Sequence, residues 1–338
     1  MDATALLYQR AVSILEASAS AIGVGIRNAT PHPLLSHIEK HASSLKLQQH
    51  FKPLYRELQQ MGYDADLDLN GNFDLILLRP SKNKAQTLAW MASAMLQLRK
   101  DGQLLVCCAN KHGARSYEKR LLELNGHISS ASKSRCRVFS AKRTSDLDES
   151  LAESWIQEGA PRHISALNMQ SQPGLFSWEK ADSGTILLLS HLPEHMQGHG
   201  MDLCCGYGFL ASHLLSSNPD IKHLFLVDAD HQALDCASQN LETFSDMTSL
   251  HWLDATTEAL PTPVDWIVCN PPFHDSHQQD MALGQAIIQS ACKSLAPEGR
   301  LYLVANRHLP YEATVQKCLK HQRVITQERG YKIIEGIK

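Results

Sequence analysis

No apolar run in this 338-residue chain comes near the roughly 20 residues that cross a bilayer; Ile186 to Leu189 with its neighbours falls far short. The opening Met1-Asp2-Ala3-Thr4 carries an early acid and no basic segment ahead of an apolar one, so no secretory leader is expected. C-x-x-C and H-E-x-x-H are both absent, which removes the commonest dithiol and zinc signatures. The nine cysteines include two adjacent pairs, Cys107-Cys108 and Cys204-Cys205. They read as reduced thiols buried as small hydrophobes, in a cytoplasmic protein with no membrane and no metal among its partners. The hydrophobic share of 43% against 20% charged excludes a disordered chain. The length suits two domains of roughly 150 residues.

The formal charge of −3 hides an uneven distribution. Residues 1–163 hold 21 Lys+Arg against 16 Asp+Glu, and residues 164–338 hold 11 against 19. Nine bases cluster in one stretch: Lys111, Arg115, Lys119, Arg120, Lys133, Arg135, Arg137, Lys142 and Arg143, against only Glu118 and Glu123. An overall pI near 6.6 argues against a general nucleic-acid coat. A local basic stretch is the footprint expected of a selective RNA contact, although a solvated face has the same composition.

Two distant segments resemble each other. Asp74 to Pro80 reads as a strand, then come a helical stretch, Asp101-Gly102 and a second strand ending Ala109-Asn110-Lys111-His112. Asp265 to Pro271 is followed by the same succession, ending Ala305-Asn306-Arg307-His308. In the second copy Leu283, Ile287, Ile288, Ala291 and Leu295 share a helical face, and Pro297-Glu298-Gly299 is expected to stop the helix. This pattern predicts two tandem α/β domains of similar architecture. The charged, Pro-containing stretch from Asp146 to Pro161 divides them, giving domains 1–161 and 162–338.

The second domain opens with a strand, Met201-Asp202-Leu203, and a turn, Cys204-Cys205-Gly206-Tyr207-Gly208, leading into an apolar helix. A further strand, Leu224 to Val227, closes on Asp228. Glycines there let a ligand approach the backbone at the switch point of a doubly wound sheet, and the acid can receive a pair of ribose hydroxyls. Gly206-x-Gly208-x-x-Ala211 formally matches a dinucleotide fingerprint. Asp202, four residues before Gly206, has no use beside a pyrophosphate but suits the ammonium group of S-adenosylmethionine, which favours that cofactor. Farther on, Asp254-Ala255 offers a carboxylate beside a backbone amide for an adenine edge, or a simple turn after a strand.

Asp265-Trp266-Ile267-Val268-Cys269-Asn270-Pro271-Pro272-Phe273 is the sharpest signal. A strand delivers Asn270 to its C-terminal end, where α/β sites lie. The prolines stiffen the turn and remove backbone donors, leaving the Asn270 side-chain carbonyl and the Pro271 carbonyl as acceptors for an exocyclic amine. Phe273 supplies a stacking face for a base drawn out of its helix. Asn270, Pro271, Pro272 and Phe273 are therefore the candidate catalytic residues. The cofactor candidates are Asp202, Cys204, Gly206, Gly208, Asp228, Asp254, Ala255 and Asn270.

At these residues the chain resembles the ribosomal RNA guanine-N2 methyltransferases, nearest their small-subunit branch and next their large-subunit branch. Pro173-Gly174-Leu175-Phe176-Ser177, Asp182-Ser183-Gly184-Thr185 and Val304-Ala305-Asn306-Arg307-His308-Leu309-Pro310-Tyr311 extend the similarity over residues 172–311. The resemblance implies two tandem class I, Rossmann-like domains of seven strands, the first degenerate: Arg79-Pro80-Ser81-Lys82 stands in place of Asn-Pro-Pro-Phe, with no glycine turn. It also implies methyl transfer from S-adenosylmethionine to the N2 amine of a guanine in 16S ribosomal RNA within the small subunit, with the first domain holding the RNA. The alternatives are a 23S target, or an RNA-binding assembly factor with a weakened cofactor site. The last is motivated by Cys204, which occupies a position where the family has glycine.

Overall fold

The computed structural model describes residues 2–272 and 279–338. The chain forms two compact units, one running as far as Pro161 and including Gln172–Gly174, the other made of Arg162–Ser171 and Leu175–Lys338. In the first unit the strands are β1 (Gly23–Arg27), β2 (Ser44–Gln48), β3 (Ala65–Asp66), β4 (Phe73–Leu78), β5 (Leu98–Ala109), β6 (Ser129–Lys133) and β7 (Cys136–Lys142). They form one sheet in the order β3-β2-β1-β4-β5-β7-β6. A short hairpin, β8 (Arg162–Ile164) and β9 (Met169–Ser171), opens the second unit. Its main sheet comprises β10 (Gly198–Leu203), β11 (Ile221–Asp228), β12 (Thr248–Trp252), β13 (Val264–Cys269), β14 (Leu295–Asn306), β15 (His321–Glu328) and β16 (Tyr331–Ile337). The order is β12-β11-β10-β13-β14-β16-β15. Counted within each unit, the two orders are identical.

The first five strands of each sheet are parallel and the last two join antiparallel. Central strands such as β4 and β13 are buried almost throughout because helices cover both faces. Accordingly an apolar cluster lies on each side of each sheet, and the second unit has a further small one of Met169, Leu175, Tyr207, Ala233 and Cys236.

The equivalence of the units reaches individual hydrogen bonds. Gly23 N–H donates to Asp74 Oδ2 at 2.8 Å, and His199 N–H donates to Asp265 Oδ2 at 2.7 Å. Asp101 and Glu298 adopt φ of 63° and 62°, each before a glycine. A Cβ on Gly102 or Gly299 would lie 2.9 or 2.8 Å from the carbonyl oxygen of Arg99 or Ala296, so the same bulge demands glycine twice. Strand register then fixes which residues correspond. Ile26 pairs with Leu77 as Asp202 pairs with Val268, so Ile26 stands where Asp202 does, and Arg79 where Asn270 does.

Asp202 and Asn270 thus have no like residue at the matching places of the first unit. Gln49 takes the place of Asp228; its Oε1 accepts from Phe51 N–H at 2.8 Å, as Asp228 Oδ1 accepts from Asp230 N–H at 2.8 Å. The buried Tyr8 hydroxyl bonds both the N–H and the carbonyl of Thr30, at the position of Gly206.

Some local expectations are corrected. Helix Gln279–Ser294 ends before Pro297, and Leu295–Gly299 already belongs to β14, whose register breaks there. Ile287, Ile288 and Ala291 are buried, but Leu283 is 38% exposed. The close contact is made instead by Gly284, where a Cβ would fall 1.9 Å from the Tyr311 hydroxyl. The stretch expected to separate the domains contains the helix Glu149–Gly159, which buries Trp155 and packs its Gly159 against Ala89 of helix Lys84–Gln97.

Candidate functional site

The C-terminal ends of β10 and β13 border a cavity with Asp182, Thr185, Asp202, Gly206 and Asn270 in its walls. Asp202 is 1% exposed because it sits inside β10 between two parallel neighbours. Its Oδ2 is buried and has no hydrogen-bond partner among the described residues. Burial pushes its carboxyl up to about 8, the nearby Asp228 charge adds to the rise, and the Ala211 backbone N–H opposes it. An orphaned buried carboxylate of this kind calls for a cation.

The turn after β10 is shaped by three left-handed residues: Cys204 at φ 65°, Gly206 at 55° and Gly208 at 82°. Cys204 therefore keeps the backbone that glycine would adopt, and its side chain packs with Cys269 against the core beneath. A Cβ built on Gly206 meets nothing within 4 Å, which leaves that side of the turn open. At Gly208, which caps helix Phe209–Ser217, a Cβ would come 3.3 Å from Ala237 Cβ and from Leu241 Cδ1. Gly206 thus serves access, and Gly208 close helix packing. Asn240 clamps this region, donating to the carbonyls of Tyr207 at 2.8 Å and Gln170 at 2.9 Å.

Asp228 ends β11 behind the turn. Its Oδ2 accepts from Gly206 N–H at 2.8 Å, and burial raises its carboxyl to about 6. Asp254 is more committed to its own turn: Oδ1 accepts from Thr256 N–H at 2.9 Å and Thr256 Oγ1 at 2.6 Å, and Oδ2 accepts from Thr257 Oγ1 at 2.7 Å. Ala255 beside it is buried in the core.

Asn270 follows β13, and both hydrogens of its amide are spent. Nδ2 donates to Asp182 Oδ2 at 3.1 Å and to Thr185 Oγ1 at 2.7 Å. A carboxylate accepts and never donates, so it dictates which end of the amide faces it. The Asn270 carbonyl oxygen is left for the cavity. Asp182 is itself held as the N-cap of helix Ser183–Leu189, its Oδ2 accepting from Thr185 N–H at 2.8 Å. Asp182 and Thr185 were not singled out as site residues from the sequence, although Asp-x-x-Thr at a helix start is a capping pattern. Pro271 is buried and Pro272 half-buried; Phe273 lies outside the described residues. An exposed aromatic at the cavity, Phe176, is 59% exposed.

The basic stretch of the first unit does not form one patch. Asn110 N–H donates to Arg135 O at 2.9 Å, which sets the β6–β7 turn, with Lys133 and Arg135, beside Lys111 at the C-terminal end of β5. Lys142 ends β7 and pairs with Gln103 in the middle of β5. Arg137 is bound to Glu118 at 2.6 Å and Arg120 to Glu123 at 2.6 Å. Arg143 donates to the carbonyls of Leu96 and Leu98 at 2.7 and 2.6 Å. Lys111, Arg115, Lys119, Lys133, Arg135 and Lys142 are exposed. Among the described residues no group of three or more His, Cys, Asp or Glu is placed to hold a metal ion, and no helix is long and apolar enough to cross a membrane.

Comparison with known proteins agrees with the two-domain fold. Residues 166–335 match the family model described as methyltransferase small domain, and residues 8–158 match the methyltransferase small domain N-terminal model. Ribosomal RNA small subunit methyltransferase C of Shewanella loihica is 30% identical over 283 residues, covering 82% of this chain and 81% of that one. The protein of that name from Aliivibrio fischeri is 25% identical over 339 residues, covering 100% and 99%. Among solved structures, the T. thermophilus 16S rRNA N2 G1207 methyltransferase in complex with AdoMet and guanosine superposes with a TM-score of 0.79 at 22% identity. That match covers 97% of this chain and 92% of that one, and shows the shared two-domain fold.

Proposed function

Because the chain belongs to the methyltransferase small domain family, we propose that it transfers a methyl group from S-adenosylmethionine to the N2 amine of a guanine in 16S ribosomal RNA. The observation that carries this reading is the Asn270 amide, whose nitrogen is tied to Asp182 and Thr185 so that its carbonyl faces the cavity. An exocyclic amine is a double donor, and the carbonyls of Asn270 and Pro271 suit its two hydrogens. Held this way, the nitrogen lone pair is directed away from both acceptors.

The residues present fit the cofactor. Asp202 offers a buried, unpartnered carboxylate oxygen to an ammonium group, and the open side of Gly206 gives room against the backbone. Asp228 accepts from the backbone N–H groups of Gly206 and Asp230, and ribose hydroxyls would share the same carboxylate. When bound, S-adenosylmethionine supplies an electrophilic methyl on a positively charged sulfur. The protein's own contribution is position and a preorganised polar pocket; no strong base is needed, because an amine nitrogen becomes acidic once alkylated.

The first unit carries the exposed bases and lacks the acids of the cofactor site, so it is the natural holder of RNA phosphates, within a small ribosomal subunit in the cytoplasm. Asp254 and Ala255 are proposed for the adenine edge, beside the turn in which Thr256 and Thr257 bind the Asp254 carboxylate. Mass spectrometry of nucleosides from the two ribosomal RNAs of a strain lacking the protein tests the reading. One N2-methylguanosine should be missing from the 16S RNA and none from the 23S RNA.

A further inference from the structure

Asp182 holds Asn270 through one oxygen only. Its Oδ2 collects three donors: Thr185 N–H at 2.8 Å, Thr185 Oγ1 at 3.2 Å and Asn270 Nδ2 at 3.1 Å. Its Oδ1 accepts no hydrogen bond from the described residues, and Asp182 lines the same cavity as Asn270. The cavity wall therefore presents two acceptors side by side: an amide carbonyl from Asn270 and a carboxylate oxygen from Asp182.

Nucleobases with an exocyclic amine differ in what stands beside it. In guanine, the N2 amine adjoins N1–H, a second donor. In adenine and cytosine the amine adjoins a bare ring nitrogen, an acceptor that a carboxylate would repel. We infer that Asp182 is the residue that selects guanine, its Oδ1 accepting from N1–H while Asn270 accepts from the N2 amine. This rests on the proposed guanine-N2 reaction and names the group that would restrict it to that base. A hydrogen bond to a charged acceptor discriminates by roughly ten- to a hundredfold.

Substituting Asp182→Asn makes a sharp test, because the three donors around Oδ2 compel the variant's amide oxygen to take that place. Its NH2 group then occupies the position of Oδ1 and presents a donor where an acceptor stood. Asparagine caps a helix as well as aspartate, so the helix start is preserved.

The substrate pair is 16S RNA carrying guanine, or 2-aminopurine introduced by ligation, at the target position located by mass spectrometry. 2-Aminopurine keeps the N2 amine but has a bare N1. The wild-type protein should methylate guanine at least about tenfold faster than 2-aminopurine, and Asp182→Asn should narrow or reverse that ratio with cofactor affinity unchanged. Equal wild-type rates on the two bases would overturn the inference without any variant. So would an Asp182→Asn protein that binds cofactor normally and has the wild-type ratio, or is inactive on both bases. Failure of the guanine-N2 reading is a separate result: unsubstituted RNA would then yield no N2-methylguanosine with the wild-type protein.

Discussion

Asp228 holds in place the turn beside which it works: its Oδ2 accepts from Gly206 N–H at 2.8 Å. On the proposed reading, replacing it should remove a ribose acceptor and release the turn at Gly206. Asp228→Ala should weaken S-adenosylmethionine binding by about 1–3 kcal/mol, the cost of unpaired buried polar groups. Asp228→Asn should not restore it fully, because the new NH2 cannot accept from either Gly206 N–H or Asp230 N–H. Calorimetric titration of both variants checks this, and wild-type affinity in the Asn variant would remove the second acceptor from the account.

If Asp202 takes the cofactor's ammonium group as proposed, its buried carboxyl should make cofactor binding dependent on pH. Its value of about 8 in the folded chain lies above the roughly 3.9 of an unfolded aspartate, so between these the native state binds more protons than the unfolded state. The free protein should lose stability as pH rises from about 4 to 8 and level off beyond. An ammonium partner favours the ionised form, so affinity should climb with pH up to about 8, by at most tenfold per unit, with about one proton released per cofactor bound at pH 7. Asp202→Asn should bind more weakly, show no such climb, and be more stable than wild type at pH 8. Calorimetry in buffers of different ionisation heat reads the proton directly; no release at pH 7 would contradict the assignment.

For the RNA contact, the folded arrangement narrows nine bases to a few. Lys111, Lys133 and Arg135 meet at the C-terminal end of β5, whereas Arg137 and Arg143 are held by Glu118 and by backbone carbonyls. Changing Lys111, Lys133 and Arg135 to Gln should weaken RNA binding and flatten its salt dependence, by up to roughly 0.7 in log–log slope for each phosphate that is no longer neutralised. Lys142→Gln, at the far end of β7, should leave the slope unchanged. Changing Arg137 or Arg143 should cost stability instead. Equal slopes for the triple variant and wild type would exclude this end of the sheet as the phosphate grip.

Much of this was legible in the sequence because it depends on local pattern. The repeated strand, helix, Gly turn and strand around Gly102 and Gly299 foretold two units of one topology, since a bulge that demands glycine leaves its mark in the chain. Asn270-Pro271-Pro272 and Asp202 stood out as polar or rigid residues in or after an apolar strand, and the structure brings Asp202 and Asn270 to one cavity. What the sequence could not show was partnership across distance. Asp182 lies 88 residues before Asn270, and nothing in its neighbourhood reveals that it orients that amide. Nor could the sequence show how the basic stretch spreads: Arg135 and Lys142, seven residues apart, fall at opposite ends of β7. The Cys204 substitution is understood only from its φ of 65°, which preserves the glycine-like turn and turns the side chain toward Cys269.

The central claim is that the Asn270 carbonyl holds the amine that is methylated. The most direct test incubates undermodified 16S RNA with labelled S-adenosylmethionine and either wild-type protein or Asn270→Ala, followed by nucleoside mass spectrometry and a cofactor titration. Wild type should form N2-methylguanosine, while Asn270→Ala should be slower by roughly a hundred- to a thousandfold with nearly unchanged cofactor affinity. Activity in Asn270→Ala within about threefold of wild type, or label on another nucleoside, would contradict the account.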